Sequence, residues 1–167
     1  MSNMKEKVVL ITGASSGIGR ATAEAFAAKG ANIVVAARRK EELDTLVASI
    51  VALGGKASAI KTDVSIAKNV EQMVAHTIEV FGSLDYAINC AGIEGKFGGV
   101  TDLLEEDWDQ VIDINLGDRH LRMLAYWGHQ LKLKSLFTVR QTLVRYFQKP
   151  PGSINDTTAV QLGQRIQ

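Results

Sequence analysis

Three glycines in the stretch TGASSGIGR (Thr12–Arg20) are spaced for seating an anion. Gly13, Gly17 and Gly19 remove side chains where a backbone has to turn tightly and where a phosphate could come close to it. The spacing carries that meaning only between a strand and the start of a helix, whose free N–H groups and dipole favour negative charge. Both neighbours are of the right kind. KVVLITG (Lys7–Gly13) is a continuous apolar run, as a strand buried on both faces would be, and Ser16 to Lys29 has helical spacing. The chemistry this implies is the holding of a pyrophosphate, with Gly13, Ser15, Ser16, Gly17, Ile18 and Gly19 as candidate contacts.

The elements that must position this loop follow from the same patterns. NIVVAA (Asn32–Ala37), KASAIKTD (Lys56–Asp63) and LDYAIN (Leu84–Asn89) read as three more strands. Helical stretches separate or follow them at Glu41–Leu53, Ile66–Phe81 and Asp102–Leu116, with Gly30, Gly54 and Gly82 as stops. Thr101 or Asp102 is placed to cap the last of these, with Glu105 completing a capping box, and Trp108 is expected to pack into the core. Strands alternating with helices imply crossover connections and a parallel sheet. The fold class expected is therefore α/β, a Rossmann-type doubly wound parallel sheet that stops after about four strands and continues into a helical or irregular basic tail.

Read in this context, the Gly-x-x-x-Gly-x-Gly spacing resembles the short-chain dehydrogenase/reductase family, Rossmann-fold oxidoreductases dependent on NAD(P). Three further stretches agree with it. KTDVS (Lys61–Ser65) is similar to the family's Asp-Val after the third strand, which implies that Asp63 hydrogen-bonds the adenine with Val64 beside it. INCAG (Ile88–Gly92) is similar to the family's Asn-Asn-Ala-Gly, which places Asn89, Ala91 and Gly92 against the nucleotide, with Cys90 standing where the second Asn would be. WDQVIDINL (Trp108–Leu116) is similar to the helix that carries the family's active-site Asn, here Asn115, the one catalytic residue the resemblance assigns. The four motifs cover residues 7–116.

The residues after the second strand bear on the cofactor. An acid there would bind the ribose hydroxyls of NAD, whereas this chain reads VVAARRKEE, with Ala37 followed by Arg38 and Arg39. The rigid guanidinium fork matches a 2′-phosphate, which favours NADP over NAD, although two basic residues could also simply solvate the start of a helix.

The resemblance also implies a proton-donating Tyr, a Lys four residues later and a substrate-orienting Ser. A phenol near pKa 10 shuttles protons poorly at neutral pH unless a cation stabilises its anion. Tyr86, Tyr126 and Tyr146 are followed four residues on by Cys90, Gln130 and Pro150, so none supplies the pair. GSINDTTAV (Gly152–Val160) faintly echoes the strand that ends in the Ser, with Thr158 or Ala159 in its place. The expected function is an NADP(H)-binding oxidoreductase of this family in a truncated form with little or no activity, its substrate a small carbonyl or alcohol if it turns over.

Charge distribution supports a division at Leu116. Residues 1–116 hold 11 basic and 16 acidic side chains, a net −5, whereas residues 117–167 hold 8 and 2, a net +6. The expected organisation is a nucleotide-binding portion, 1–116, and an atypical basic tail, 117–167. Lys132 to Lys149 has the spacing of a basic amphipathic helix, so the alternative reading is a non-catalytic nucleotide-binding module whose tail meets a partner or a membrane surface. Without such a tail, the fourth strand would expose an apolar edge. No apolar run approaches the roughly 20 residues of a membrane span, and MSNMKEK lacks the apolar core of a secretion signal, so a cytoplasmic location is expected. No nucleic-acid partner is expected. His120 and His129 lack ligand-spaced partners, His76 reads as a surface residue, and the single Cys90 as a small buried hydrophobe.

Overall fold

The computed structural model describes residues 4–96, 98–115 and 135–138. β1 (Val8–Thr12) is followed by α1 (Gly17–Ala28), β2 (Asn32–Ala37), α2 (Lys40–Ala52) and β3 (Lys56–Lys61). Then come α3 (Ala67–Phe81), β4 (Tyr86–Asn89), α4 (Glu105–Asn115) and β5 (Ser135–Thr138). The strands form one parallel sheet in the order β3-β2-β1-β4-β5. The doubly wound α/β fold expected from the alternation is thus the fold observed.

Period-two alternation along the strands sends side chains to two separate cores. Val9, Ile11, Ile33 and Val35 point to one face, where α1 and α2 bring Ala23, Leu43, Leu46 and Ile50. Leu10, Val34 and Ala36 point to the other, where α3 brings Val70, Met73 and Val74. All five residues of β1 are buried, because it lies at the centre of the sheet with helices over both faces. The cores lock the register, since a slip of one residue would exchange the two faces.

Two local expectations are corrected. Within the helix expected at Lys132–Lys149, residues 135–138 form β5, and the rest of that stretch lies outside the described residues, as do Gly152–Val160, His120 and His129. Four-residue apolar runs fit either period, and pairing decides this one: Tyr86–Asn89 of β4 are matched in parallel register by Ser135–Thr138. The edge of β4 is therefore covered, and the sheet has five strands where about four were expected. The second correction concerns the start of α4. Asp102 N–H bonds to Gly99 C=O at 2.9 Å and closes a 3₁₀ turn, Val100–Asp102, after which Leu103 is extended. The helix begins only at Glu105, so Thr101 and Asp102 belong to the short turn and neither directly precedes α4.

Candidate functional site

A parallel sheet brings the C-terminal ends of its strands to one edge, and a crevice opens there where the strand order reverses. Here the reversal lies between β1 and β4, which flank each other with Thr12 opposite Asn89. A cleft of about 250 Å³ occupies that edge. The loop after β1 lines it with Gly13, Ser15, Ser16, Gly17, Ile18 and Gly19; the segment after β2 adds Arg38 and Arg39; Asp63 and Val64 follow β3, and Ala91 and Gly92 follow β4. The sequence brought these residues forward from four separate motifs, and the fold brings them around one space. Of the other candidates, Asn89 ends β4 in a buried position, and Asn115 lies behind the cleft wall. Sequence reasoning passed over Ala37, Thr62, Cys90, Ile93 and Ile114, which also line the cleft. Each of the five adjoins a predicted residue in the chain, Arg38, Asp63, Asn89, Gly92 or Asn115, which was the available signal.

Gly13 sits where two chain segments nearly touch. Its φ is +66°, and a Cβ there would lie 2.5 Å from Cys90 C=O and 2.6 Å from Ala91 N. Next to it, Ala91 N–H donates to the buried Thr12 Oγ1 at 3.2 Å, which fastens the end of β4 to the end of β1. At Gly17, φ is +56° and a Cβ would meet nothing within 4 Å, so the residue opens the loop toward the cleft. α1 starts directly behind this loop. Its first turn has no acidic residue, and Ser16, in the N-cap position, makes no side-chain capping bond. The first N–H groups of the helix are thus left for an anion.

The Arg39 guanidinium reaches back across the loop. Its Nε and Nη2 donate to Ser15 Oγ at 3.3 and 3.0 Å, and Nη2 donates to Ser16 Oγ at 2.9 Å. On the third side, Asp63 Oδ1 accepts from Ser65 Oγ–H at 2.6 Å and from Ser65 N–H at 3.0 Å. The Ser65 hydroxyl holds the Asp63 carboxyl below the ordinary carboxylate range. Partial burial pushes the other way, and the Ser65 N–H and the Arg38 charge add to the lowering. Asp63 is therefore an ionised acceptor at neutral pH.

Asn115 closes the back of the site. Its Oδ1 accepts from Ile93 N–H and its Nδ2 donates to Ile93 C=O, both at 2.8 Å. Trp108 does not pack into the core as expected; it is 56% exposed, because α4 buries only Ile114 and turns Trp108 outward. His76 lies on α3, half-buried, and shares a 2.8 Å hydrogen bond with Ser58 Oγ on β3, away from the cleft. Cys90 is buried as expected, and burial pushes its thiol up to about 11. At pH 8 only about one molecule in a thousand carries the thiolate. A thiol reagent at that pH is expected to label the folded chain very slowly and the chain in urea at once. Equal rates would mean that Cys90 is accessible.

The donors, the open glycine position and the ionised carboxylate suit an adenine dinucleotide: N–H groups for a pyrophosphate, arginines for a further phosphate and an acceptor for an amine. Comparison with known proteins agrees with this. The short chain dehydrogenase family profile matches residues 7–118. The chain belongs to that family. It is 44% identical over 116 residues to a 3beta-hydroxysteroid dehydrogenase of Mediterraneibacter gnavus, a match covering 70% of this chain and 42% of that protein. It is 39% identical over 163 residues to a 3-oxoacyl-[acyl-carrier-protein] reductase of Synechocystis sp., covering 95% of this chain and 64% of the relative, so this alignment runs on into the basic stretch. Among solved structures, a metagenomic short-chain oxidoreductase in complex with NADP superposes with a TM-score of 0.75 at 29% identity, over 82% of this chain and 63% of that one. The chain spans about half the length of the curated relatives it matches, from 42% to 64% in these two cases. Among the described residues no three His, Cys, Asp or Glu side chains are grouped to hold a metal ion, and no helix is long and apolar enough to cross a membrane.

Proposed function

We propose that residues 1–116 are the nucleotide-holding portion of a short-chain oxidoreductase and that the cleft prefers NADP to NAD. The observation that carries this is the meeting of Arg38 and Arg39 with the glycine loop in one cleft, with Ala37 and not an acid at the end of β2 where ribose hydroxyls would be taken. In this reading the loop and the start of α1 seat the pyrophosphate. Asp63, ionised at neutral pH and bonded to Ser65, accepts from the adenine amine, with Val64 beside it; Ala91 and Gly92 form the wall just after β4, where Asn89 ends the strand in a buried position. Arg38 and Arg39 meet the 2′-phosphate. Bound there, the nicotinamide supplies or takes up a hydride, and the natural partner is a small carbonyl or alcohol. Asn115 acts by fixing the Ile93 backbone at the inner end of the cleft.

The Tyr-x-x-x-Lys pair that the family relies on for proton transfer does not occur in these 167 residues. General acid–base help is worth about 10²–10⁴-fold, so the chain by itself is expected to hold its nucleotide with little or no carbonyl reduction. Titration of the chain with NADPH and with NADH, followed by nicotinamide fluorescence, tests the reading. Saturation by NADPH at roughly 10- to 100-fold lower concentration than by NADH is expected, as charge-assisted bonds to one extra phosphate would give. No saturation by NADPH would overturn the site, and equal affinities would overturn the cofactor preference.

A further inference from the structure

Ser15 and Ser16 do something other than what serines at a helix start ordinarily do. A Ser in the N-cap position normally accepts from an N–H of the first turn, a bond worth about 1 kcal/mol. Ser16 makes no such bond. Its oxygen instead accepts from Arg39 Nη2 at 2.9 Å, and Ser15 Oγ accepts from both Nε and Nη2 of the same side chain. Three of the five N–H donors of the guanidinium are engaged, which leaves the two on Nη1 without a bond to any described residue.

The chemistry of the brace matters as much as its geometry. Four other basic side chains among the described residues are held by carboxylates: Lys7 by Asp85, Arg20 by Glu24, Lys40 by Asp44 and Lys96 by Asp107. A carboxylate fixes a cation and also neutralises it. Two hydroxyls fix Arg39 and leave its charge undiminished. An exposed arginine otherwise loses considerable rotamer freedom when it grips an anion, and a side chain fixed in advance loses less.

We infer that Ser15 and Ser16 are positioning residues that set the preference for a 2′-phosphorylated dinucleotide by holding the Arg39 fork, still fully charged, along the cleft wall. This rests on the NADP reading of the cleft. It also links two parts of the site, because the serines belong to the glycine loop and Arg39 follows β2. The loop that faces the pyrophosphate thereby orients the group that selects the second phosphate.

The test is a double-mutant cycle on the 167-residue chain, reading the ratio of NADPH to NADH affinity by fluorescence titration. The Ser15→Ala/Ser16→Ala chain is expected to lose roughly 3- to 10-fold of that ratio, the worth of one ordered side chain. In an Arg39→Ala background, the same serine substitutions are expected to move the ratio no further, and Ser16→Thr, which keeps a hydroxyl, is expected to retain most of it. Full additivity in the Arg39→Ala background would overturn the brace, since the serines would then act on the phosphate without the arginine. So would an equal fall in affinity for both nucleotides, or no change in the ratio. If the unsubstituted chain shows no preference for NADPH, the cofactor reading falls and the brace with it. If it prefers NADPH and only the cycle fails, the brace alone is wrong.

Discussion

A Gly13→Ala chain is expected to unfold at markedly lower urea than the unsubstituted chain, with a loss of roughly 3–5 kcal/mol. Two effects add at this position. The backbone is left-handed at φ +66°, where an L side chain costs about 1–3 kcal/mol. The new Cβ would also lie 2.5 Å from Cys90 C=O and 2.6 Å from Ala91 N. Those are backbone atoms, and they are held in place, because Ala91 N–H is bonded to Thr12 Oγ1 and β4 is paired with β1. Relief requires the end of β4 to move away from β1, at an overpacking cost of about 1–3 kcal/mol. Gly17→Ala is the control. Its φ is equally left-handed at +56°, yet the Cβ would meet nothing within 4 Å. The expected loss of stability is about 1–3 kcal/mol, the same backbone contribution without the crowding. Its expected effect is on binding, since a methyl group would enter the space left for the nucleotide and weaken NADPH by tenfold or more, about 1.4 kcal/mol. Urea unfolding of both variants, with NADPH titration of Gly17→Ala, separates the two effects. Equal stability losses would sink the assignment of crowding to Gly13.

This contrast shows where the sequence was legible. Three glycines in nine residues after an apolar run announce a tight turn before a helix, and the strand ends that converge on it follow from alternation alone. Which glycine tolerates a methyl group is set by what lies opposite, and Cys90 and Ala91 are almost eighty positions away. The same limit explains the misread elements. SLFT (Ser135–Thr138) sits among Leu, Val and Phe residues at helical spacing, and only the open edge of β4 makes it a strand. Trp108 carries the hydrophobicity of a core residue, but the residue α4 buries is Ile114, toward the cleft, and Trp108 stays exposed. The role of Arg39 was legible as charge; its hold on Ser15 and Ser16 was not, because neither serine is tied to it by any sequence period. Ser65 was visible only as a neighbour of Asp63, although its hydroxyl holds that carboxyl below the ordinary carboxylate range.

Asn115→Ala is expected to cost roughly 2–4 kcal/mol and to speed hydrogen exchange at Ile93 well beyond the rest of the loop after β4. The side-chain amide satisfies both backbone groups of Ile93, 22 positions earlier, at 2.8 Å each. Truncation leaves an N–H and a C=O in a half-buried place without their partner, and each such loss costs about 1–3 kcal/mol. The Lys96–Asp107 contact tethers the same loop to α4, but Lys96 is 71% exposed, and such a pair contributes too little to hold Ile93 alone. Asn115→Asp separates shape from bonding. The new carboxylate still accepts from Ile93 N–H, but it faces Ile93 C=O with a negative oxygen where the amide had a donor. The carbonyl disfavours the charged form, so the folded-state pKa of this carboxyl is raised above its unfolded value. A group raised in this way contributes its stability below the unfolded pKa and loses it as pH rises through the folded one. Relative to the unsubstituted chain at the same pH, the variant should therefore be close to native at pH 4, where a protonated carboxyl can donate to the carbonyl, and clearly weaker at pH 7. A deficit of the same size at both pH values would mean that the donor to Ile93 C=O is not what holds the inner end of the cleft.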